Sequence, residues 1–273
     1  MTELLNVNDY KFLSWKNKYE EEKEVSFGDI KLHFSWNEFA SKRKNMMRIK
    51  KIEKYLSENK ANIYPYPDLV FNAFNMTPLE KVKVLFLGQD PYFKNEVHNN
   101  KIIPQAMGLS FAVPIGMKIP SSLENMYRNL IKFGHMKQEN KPNHGNLSFW
   151  AYQGCLMLNT ALTVHHNDKN SHMNTWKKFT DHVIEYISDK LDHVIFVLWG
   201  AYALTKLNLI NDKKHTVLIS SHPSGLSYAQ AFGPSKKYKA FCDVDHFGLI
   251  NEDLEKHGKT PIIWRIPNYI KNN

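Results

Sequence analysis

A chain of 273 residues, 42% apolar and 23% charged, is long enough to bury one sizeable core or two small ones and has the balance of a globular protein. Its formal charge of +9 favours a polyanionic partner such as nucleic acid, although charge alone names no partner. No run of about 18 apolar residues occurs and the start lacks the basic-then-apolar pattern of a secretory signal, so the expectation is no membrane span and an intracellular location. Cys155 and Cys242 are isolated and build neither a disulfide framework nor a zinc or iron–sulfur site.

Residues 1–30 are polar and mixed, with the charge cluster "KYEEEKE", and read as a segment preceding a single domain that spans 31–273. From Trp36 to Lys60, Phe39, Met46, Ile49, Ile52, Tyr55 and Leu56 recur at helical spacing. The opposite face carries Lys42, Arg43, Lys44, Lys50, Lys51 and Lys54, the pattern of a solvated helix face. Four short apolar runs follow, Val82–Leu87, Gly154–Leu158, Val194–Leu198 and Thr216–Ile219. They do not alternate, which is the mark of strands buried on both faces, as in a parallel sheet. Between them lie helical patterns at Ser122–Phe133, introduced by Pro120 and Ser121, at Trp176–Leu191 and at Ala201–Leu209. The alternation predicts an α/β domain: a central four-stranded parallel sheet flanked by helices. No internal repeat or low-complexity linker is present.

In open parallel sheets, ligands bind beyond the carboxyl ends of the strands. The first run is followed by Gly88, Gln89, Asp90, Pro91 and Tyr92, and the second by Asn159 and Thr160. The third is followed by Trp199, Gly200 and Ala201, and the fourth by Ser220, Ser221, His222, Pro223 and Ser224. Singly, each polar residue has an ordinary structural role: Asp90 in a turn, Asn159 as a helix cap, His222 as a satisfied buried histidine. Together with Gln89, these polar groups at the ends of the apolar strands point instead to one site.

The chain has no Gly-x-Ser-x-Gly elbow, no phosphate-binding glycine loop and no metal-ligand spacing among its 13 histidines. A hydrolytic glycosidase usually has two carboxylates; one carboxylate and one imidazole suit a reaction whose leaving group is already a fair anion. The carboxylate steers water and stabilises positive charge; the imidazole meets the departing negative charge.

"GQDPY" (88–92), "GLSFAV" (108–113), "IPSSLENMY" (119–127), "LMLNTALTV" (156–164), "VLWGAYA" (197–203) and "SHPSGLS" (221–227) resemble the ordered motifs of family 1 uracil-DNA glycosylases, as does "YPYPDLVFNAF" (64–74). The resemblance runs from about Trp36 to about Pro267 in order and spacing. It implies the α/β/α fold of that family and hydrolysis of uracil from DNA. Asp90 and His222 would be the catalytic residues. Asn159 would read the uracil edge, Tyr92 would exclude the thymine methyl, Phe111 would stack on the flipped base, and Gln89 would contact the base through its backbone. Three loops would compress the DNA: Pro120-Ser121-Ser122, Gly200-Ala201 and His222–Ser227, the last containing Ser224 and Ser227 and carrying Leu226 as an apolar wedge. The resemblance implies a monofunctional monomer that needs no metal or organic cofactor and binds single- or double-stranded uracil-containing DNA.

The chain departs from that pattern at four places. Phe93 stands where the family usually has a histidine, and Ala201 where it commonly has serine. The stretches 94–103 and 229–245 are expanded, the second with Lys236, Lys237 and Lys239 at its middle. An alternative from another class is a DNA-binding accessory subunit of a replication complex using the same fold. A second is a related enzyme acting on other damaged bases, against which Tyr92 and Asn159 argue.

Overall fold

The computed structural model describes residues 4–20, 23–29 and 32–270. Eight strands occur among them: β1 (Ile63–Tyr64), β2 (Val84–Gly88), β3 (Asn95–His98), β4 (Lys101–Pro104), β5 (Cys155–Asn159), β6 (Val164–His165), β7 (Ile195–Trp199) and β8 (Thr216–Ser220). The central sheet has the order β5-β2-β7-β8, and every neighbouring pair is parallel. β2, β5 and β7 are buried along their whole length, which is why their sequences are continuous apolar runs. β8 departs from that expectation: Thr216 to Ile219 are only half-buried, whereas β5, at the other edge, is covered throughout.

Each central strand ends one residue beyond its apolar run, at Gly88, Asn159, Trp199 and Ser220. The ladder continues through these positions, with Gly88 opposite Asn159 and Trp199 opposite Ser220. Bonds just past the ends extend the hold: the Thr160 N–H donates to Gly88 O at 3.0 Å, and the Gly200 N–H to Ser220 O at 2.9 Å. Pairing therefore carries order just past the strand ends, where the sequence places its candidate site residues.

Helices Ser121–Lys132 and Met173–Lys190 cover the sheet close to their expected limits, the second starting three residues before the expected Trp176. The pattern at Ala201–Leu209 resolves into a short helix, Ala201–Leu204, and a single 3-10 turn, Leu207–Leu209. The helix expected over Trp36–Lys60 is broken at Lys42 into Asn37–Ser41 and Arg43–Glu58. Lys42 has extended backbone, and the Asn45 side chain donates to Phe39 O at 2.7 Å, taking up a carbonyl the break frees. The break resets the buried stripe to Asn45, Ile52 and Leu56, which leaves Met46 exposed although its spacing from Phe39 suggested the core. No described helix is long and apolar enough to cross a membrane.

The boundary expected between residues 30 and 31 lies outside the described residues. The described part of the preceding segment is not set apart from the core. Val7, Tyr10, Trp15, Tyr19, Val25 and Phe27 join the same apolar cluster as the sheet. The Trp15 indole donates to Pro65 O at 2.8 Å, and the Phe27 ring meets Phe71 and Trp176 at centroid distances of 5.0 and 5.9 Å. Replacing Trp15, which is 1% exposed, with alanine should cost about 3–5 kcal/mol of unfolding free energy by the usual cavity and transfer terms. Urea denaturation monitored by circular dichroism reads this; an unchanged midpoint and slope would mean the segment is only an appendage.

Candidate active site

The carboxyl ends of the four central strands open onto one cavity of about 360 Å³. Its lining includes Gln89, Asp90, Tyr92, Phe111, Asn159, Gly200, Ala201 and His222, together with Ser122, Ser224 and Ser227. The fold thus brings together the polar groups that follow β2, β5 and β8 with the Gly200-Ala201 turn that follows β7. Pro120, Ser121 and Leu226 do not line it. Lys169 and Tyr202 do, and the sequence reading passed over both.

Asp90 follows β2 and turns its carboxylate toward the loop before helix Met173–Lys190. Its Oδ2 accepts the Asn170 N–H at 2.8 Å. Asn170 is held in the left-handed region, φ 65°, and its side-chain oxygen accepts from Gln89 Nε2 at 2.9 Å. The Gln89 side chain therefore fixes the residue whose amide aims Asp90, while the Gln89 carbonyl accepts from the Ala161 N–H at 3.0 Å. Burial pushes the Asp90 carboxyl above the ordinary carboxylate range, partly offset by the Asn170 N–H and the charge of Lys169.

His222 follows β8 and faces the same space. Its Nδ1 accepts the Ser224 N–H at 3.0 Å, so in the neutral ring the proton sits on Nε2. Burial, with a smaller contribution from Lys169, pushes its pKa down to about 4. The imidazole is therefore neutral near pH 7 and has one N–H to give. Gly200 makes room for it: a Cβ there would sit 3.0 Å from His222 Cβ, and the glycine has φ 90°, which other residues rarely adopt.

Gly88 lies in the ladder and serves the neighbouring strand. A Cβ at Gly88 would fall 2.0 Å from Asn159 Oδ1 and 2.8 Å from Ser110 Cβ. The missing side chain is the berth for the Asn159 carboxamide, which has no hydrogen-bond partner among the described residues. Phe111 adopts φ 64°, costly for a bulky residue, and its ring lies between Trp199 and His222 at centroid distances of 5.7 and 5.8 Å. The Ser110 N–H donates to Met157 O at 2.9 Å, which ties the Phe111 turn to β5. Tyr92 reaches back to Phe111 O with its hydroxyl at 3.4 Å. Burial keeps that phenol protonated.

The uracil DNA glycosylase superfamily model matches residues 74–245. This chain belongs to that superfamily. A probable uracil-DNA glycosylase of Acanthamoeba polyphaga mimivirus is 39% identical over 96% of this chain and 72% of its own length. A uracil-DNA glycosylase of Pseudomonas fluorescens is 42% identical over 87% of this chain and 96% of its own. The crystal structure of mimivirus uracil-DNA glycosylase superposes with a TM-score of 0.86 at 39% identity, covering 97% of each chain.

On the glycosylase fold, the segments expected to meet DNA surround the cavity. Pro120 starts helix Ser121–Lys132. The His222–Ser227 loop is braced at both ends: Asn125 Nδ2 donates to Pro223 O at 2.7 Å and Ser221 Oγ to Ser227 O at 2.8 Å. Leu226 stands at its tip, 88% exposed. The expanded stretch 94–103 forms the β3–β4 hairpin, with Asn99 and Asn100 at φ 50° and 59° in its two-residue turn. Phe93 lines the cavity, and its carbonyl accepts the Asn167 N–H at 2.9 Å. In the other expanded stretch, Lys236, Lys237 and Lys239 are exposed, and Lys239 O accepts the Ser221 N–H at 3.0 Å, joining this stretch to the wedge loop.

Two outcomes follow from this geometry. Gly88→Ala should displace the Asn159 carboxamide and lower kcat/KM for uracil release by roughly 10²-fold while the protein stays folded, as a misplaced recognition group does. Wild-type kinetics in that variant would contradict the berth. The pH profile of kcat/KM should show no inflection near the ordinary histidine value of about 6.5, because neutral His222 titrates far lower. Its acid limb should appear as Asp90 protonates, above the ordinary aspartate value, since burial raises that pKa.

Proposed function

We propose that this chain, acting as a monomer on single- or double-stranded DNA, hydrolyses the bond between uracil and deoxyribose and leaves an abasic site. The observation that carries the reading is the pairing, in one cavity, of an aimed carboxylate with a neutral imidazole whose proton lies on Nε2.

Extruding a nucleotide from a duplex costs about a few kcal/mol. Leu226, apolar and exposed at the tip of a braced loop, fills the gap the base leaves. In the cavity Phe111 stacks on the uracil, the Asn159 carboxamide matches its O4 and N3–H, and Tyr92 occupies the space a thymine methyl would need. Cytosine presents the opposite donor and acceptor pattern and leaves Asn159 unpaired, which discriminates strongly.

Cleavage sends the electron pair of the C1′–N1 bond onto the uracil, with charge developing at O2. The His222 Nε2–H donates to that oxygen. A neutral donor suits a leaving group that departs as an anion. The deoxyribose is left with positive charge facing Asp90. A water held by that carboxylate adds its oxygen to C1′, and its proton passes to Asp90. Lys169, at the cavity wall without an ion-pair partner among the described residues, offers its charge to the phosphates flanking the flipped nucleotide. Attack comes from water and not from an amine, so no lyase step follows.

A single-uracil oligonucleotide, incubated with the protein and then cleaved with alkali, tests the reading. Asp90→Asn and His222→Leu should each lower the single-turnover rate by roughly 10²–10³-fold, the usual loss when one charge-stabilising group is removed. Borohydride should trap no protein–DNA adduct. Absence of cleavage by the wild type, or undiminished cleavage by both variants, would overturn the assignment.

A further inference from the structure

The edge of the sheet opposite the cavity holds a second convergence of titratable side chains. His193 lies just before β7, Thr216 begins β8, and Asp253 and His257 sit one turn apart at the end of helix His246–Lys256. His193 Nε2 is 3.2 Å from Asp253 Oδ2, and His257 Nδ1 is 3.7 Å from the same oxygen. The three donor atoms lie within 4.8 Å of one another, the one such group among the described residues. His193 is 8% exposed. Its Nδ1 and the Asp253 Oδ2 are buried and make no hydrogen bond. The other carboxylate oxygen is fixed, because Thr216 Oγ1 donates to Asp253 Oδ1 at 2.8 Å.

We propose that His193, Asp253 and His257 form a binding site for a divalent transition cation of the zinc type, with water completing the coordination. Two imidazoles and a carboxylate are a donor set that zinc accepts. Bonds of about 2.0–2.1 Å in a tetrahedron place donors about 3.3–3.4 Å apart, between the two separations observed here. Calcium and magnesium prefer all-oxygen shells, which this site does not offer. On this reading the buried Oδ2, approached by two imidazole nitrogens, is where the cation sits, and loading displaces the proton that His193 Nε2 shares with Thr216 Oγ1 at 3.3 Å.

The two imidazoles lie face to face, with centroids 3.5 Å apart and planes 11° from parallel. Parallel rings cannot both aim an in-plane lone pair at one ion. His257, 42% exposed, therefore turns out of the stack on loading and releases its Nδ1 contact to Asp253 O at 2.8 Å. The bound ion then clasps the helix end to the start of β7. The site lies beyond the amino ends of the strands, away from the cavity, so it braces the fold and takes no part in uracil release.

Tag-free protein titrated with Zn²⁺ alone in chelator-free buffer, followed by calorimetry, reads the site. Co²⁺ absorption reports its geometry. The expected result is one equivalent bound, affinity lower by roughly tenfold or more in His257→Ala, and no change in His98→Ala. Uracil release should be the same in His257→Ala as in wild type, with or without added Zn²⁺. Absence of saturable uptake, or uptake of equal affinity in His257→Ala, would overturn the proposal and leave the cluster as a set of ion pairs around Asp253.

Discussion

The parallel pairing of β2 with β5 is the constraint on which the site rests. Its register sets Gly88 opposite Asn159, and the absent side chain at the first receives the carboxamide of the second. One residue of slip would turn each side chain to the opposite face of the sheet. The same ladder ends just before Gln89 and Asp90, so the backbone that aims the carboxylate departs from a fixed point. Buried apolar strands are rigid because interiors pack at crystal-like density. The chemistry is placed at the ends of the stiffest elements in the molecule.

Electrostatics at that edge works through desolvation and not through an ion pair. Burial pushes Asp90 up and His222 down, so each is drawn toward its neutral form. For the imidazole this is the state the proposed mechanism uses, a neutral N–H to give to a developing anion. For the carboxylate it is opposed by backbone amides, that of Asn170 foremost, and by the charge of Lys169. Asn170 sits in a left-handed conformation stabilised by Gln89, so the glutamine works through the loop it holds as well as through its place in the cavity.

Much of this was legible in the sequence, for a physical reason. Strands buried on both faces must be continuously apolar, so the polar residues that end them stand out, and Asp90, Asn159 and His222 were found that way. The Asn170 contribution was not legible, because it is made by a main-chain N–H that any residue but proline possesses. Lys169 carried no pattern beyond a polar loop. Gly88 was visible as a glycine, but its purpose depends on a partner 71 positions away that only the register reveals. The amino-terminal segment looked polar because Val7, Tyr10, Trp15 and Tyr19 are scattered among polar and charged residues, yet each is buried. His193, Asp253 and His257 escaped notice because just two of the three share a helix; the i, i+4 spacing of Asp253 and His257 was the one available hint.

The central claim is that the leaving uracil meets a neutral imidazole with its proton on Nε2. Nitrogen-15 NMR of the free protein, with His222 assigned by loss of its signals in His222→Leu, tests this directly. The account predicts an Nε2–H tautomer that persists through neutral pH and protonates only toward about 4. Protonation of His222 near the ordinary histidine value of about 6.5, or a proton on Nδ1, would contradict it.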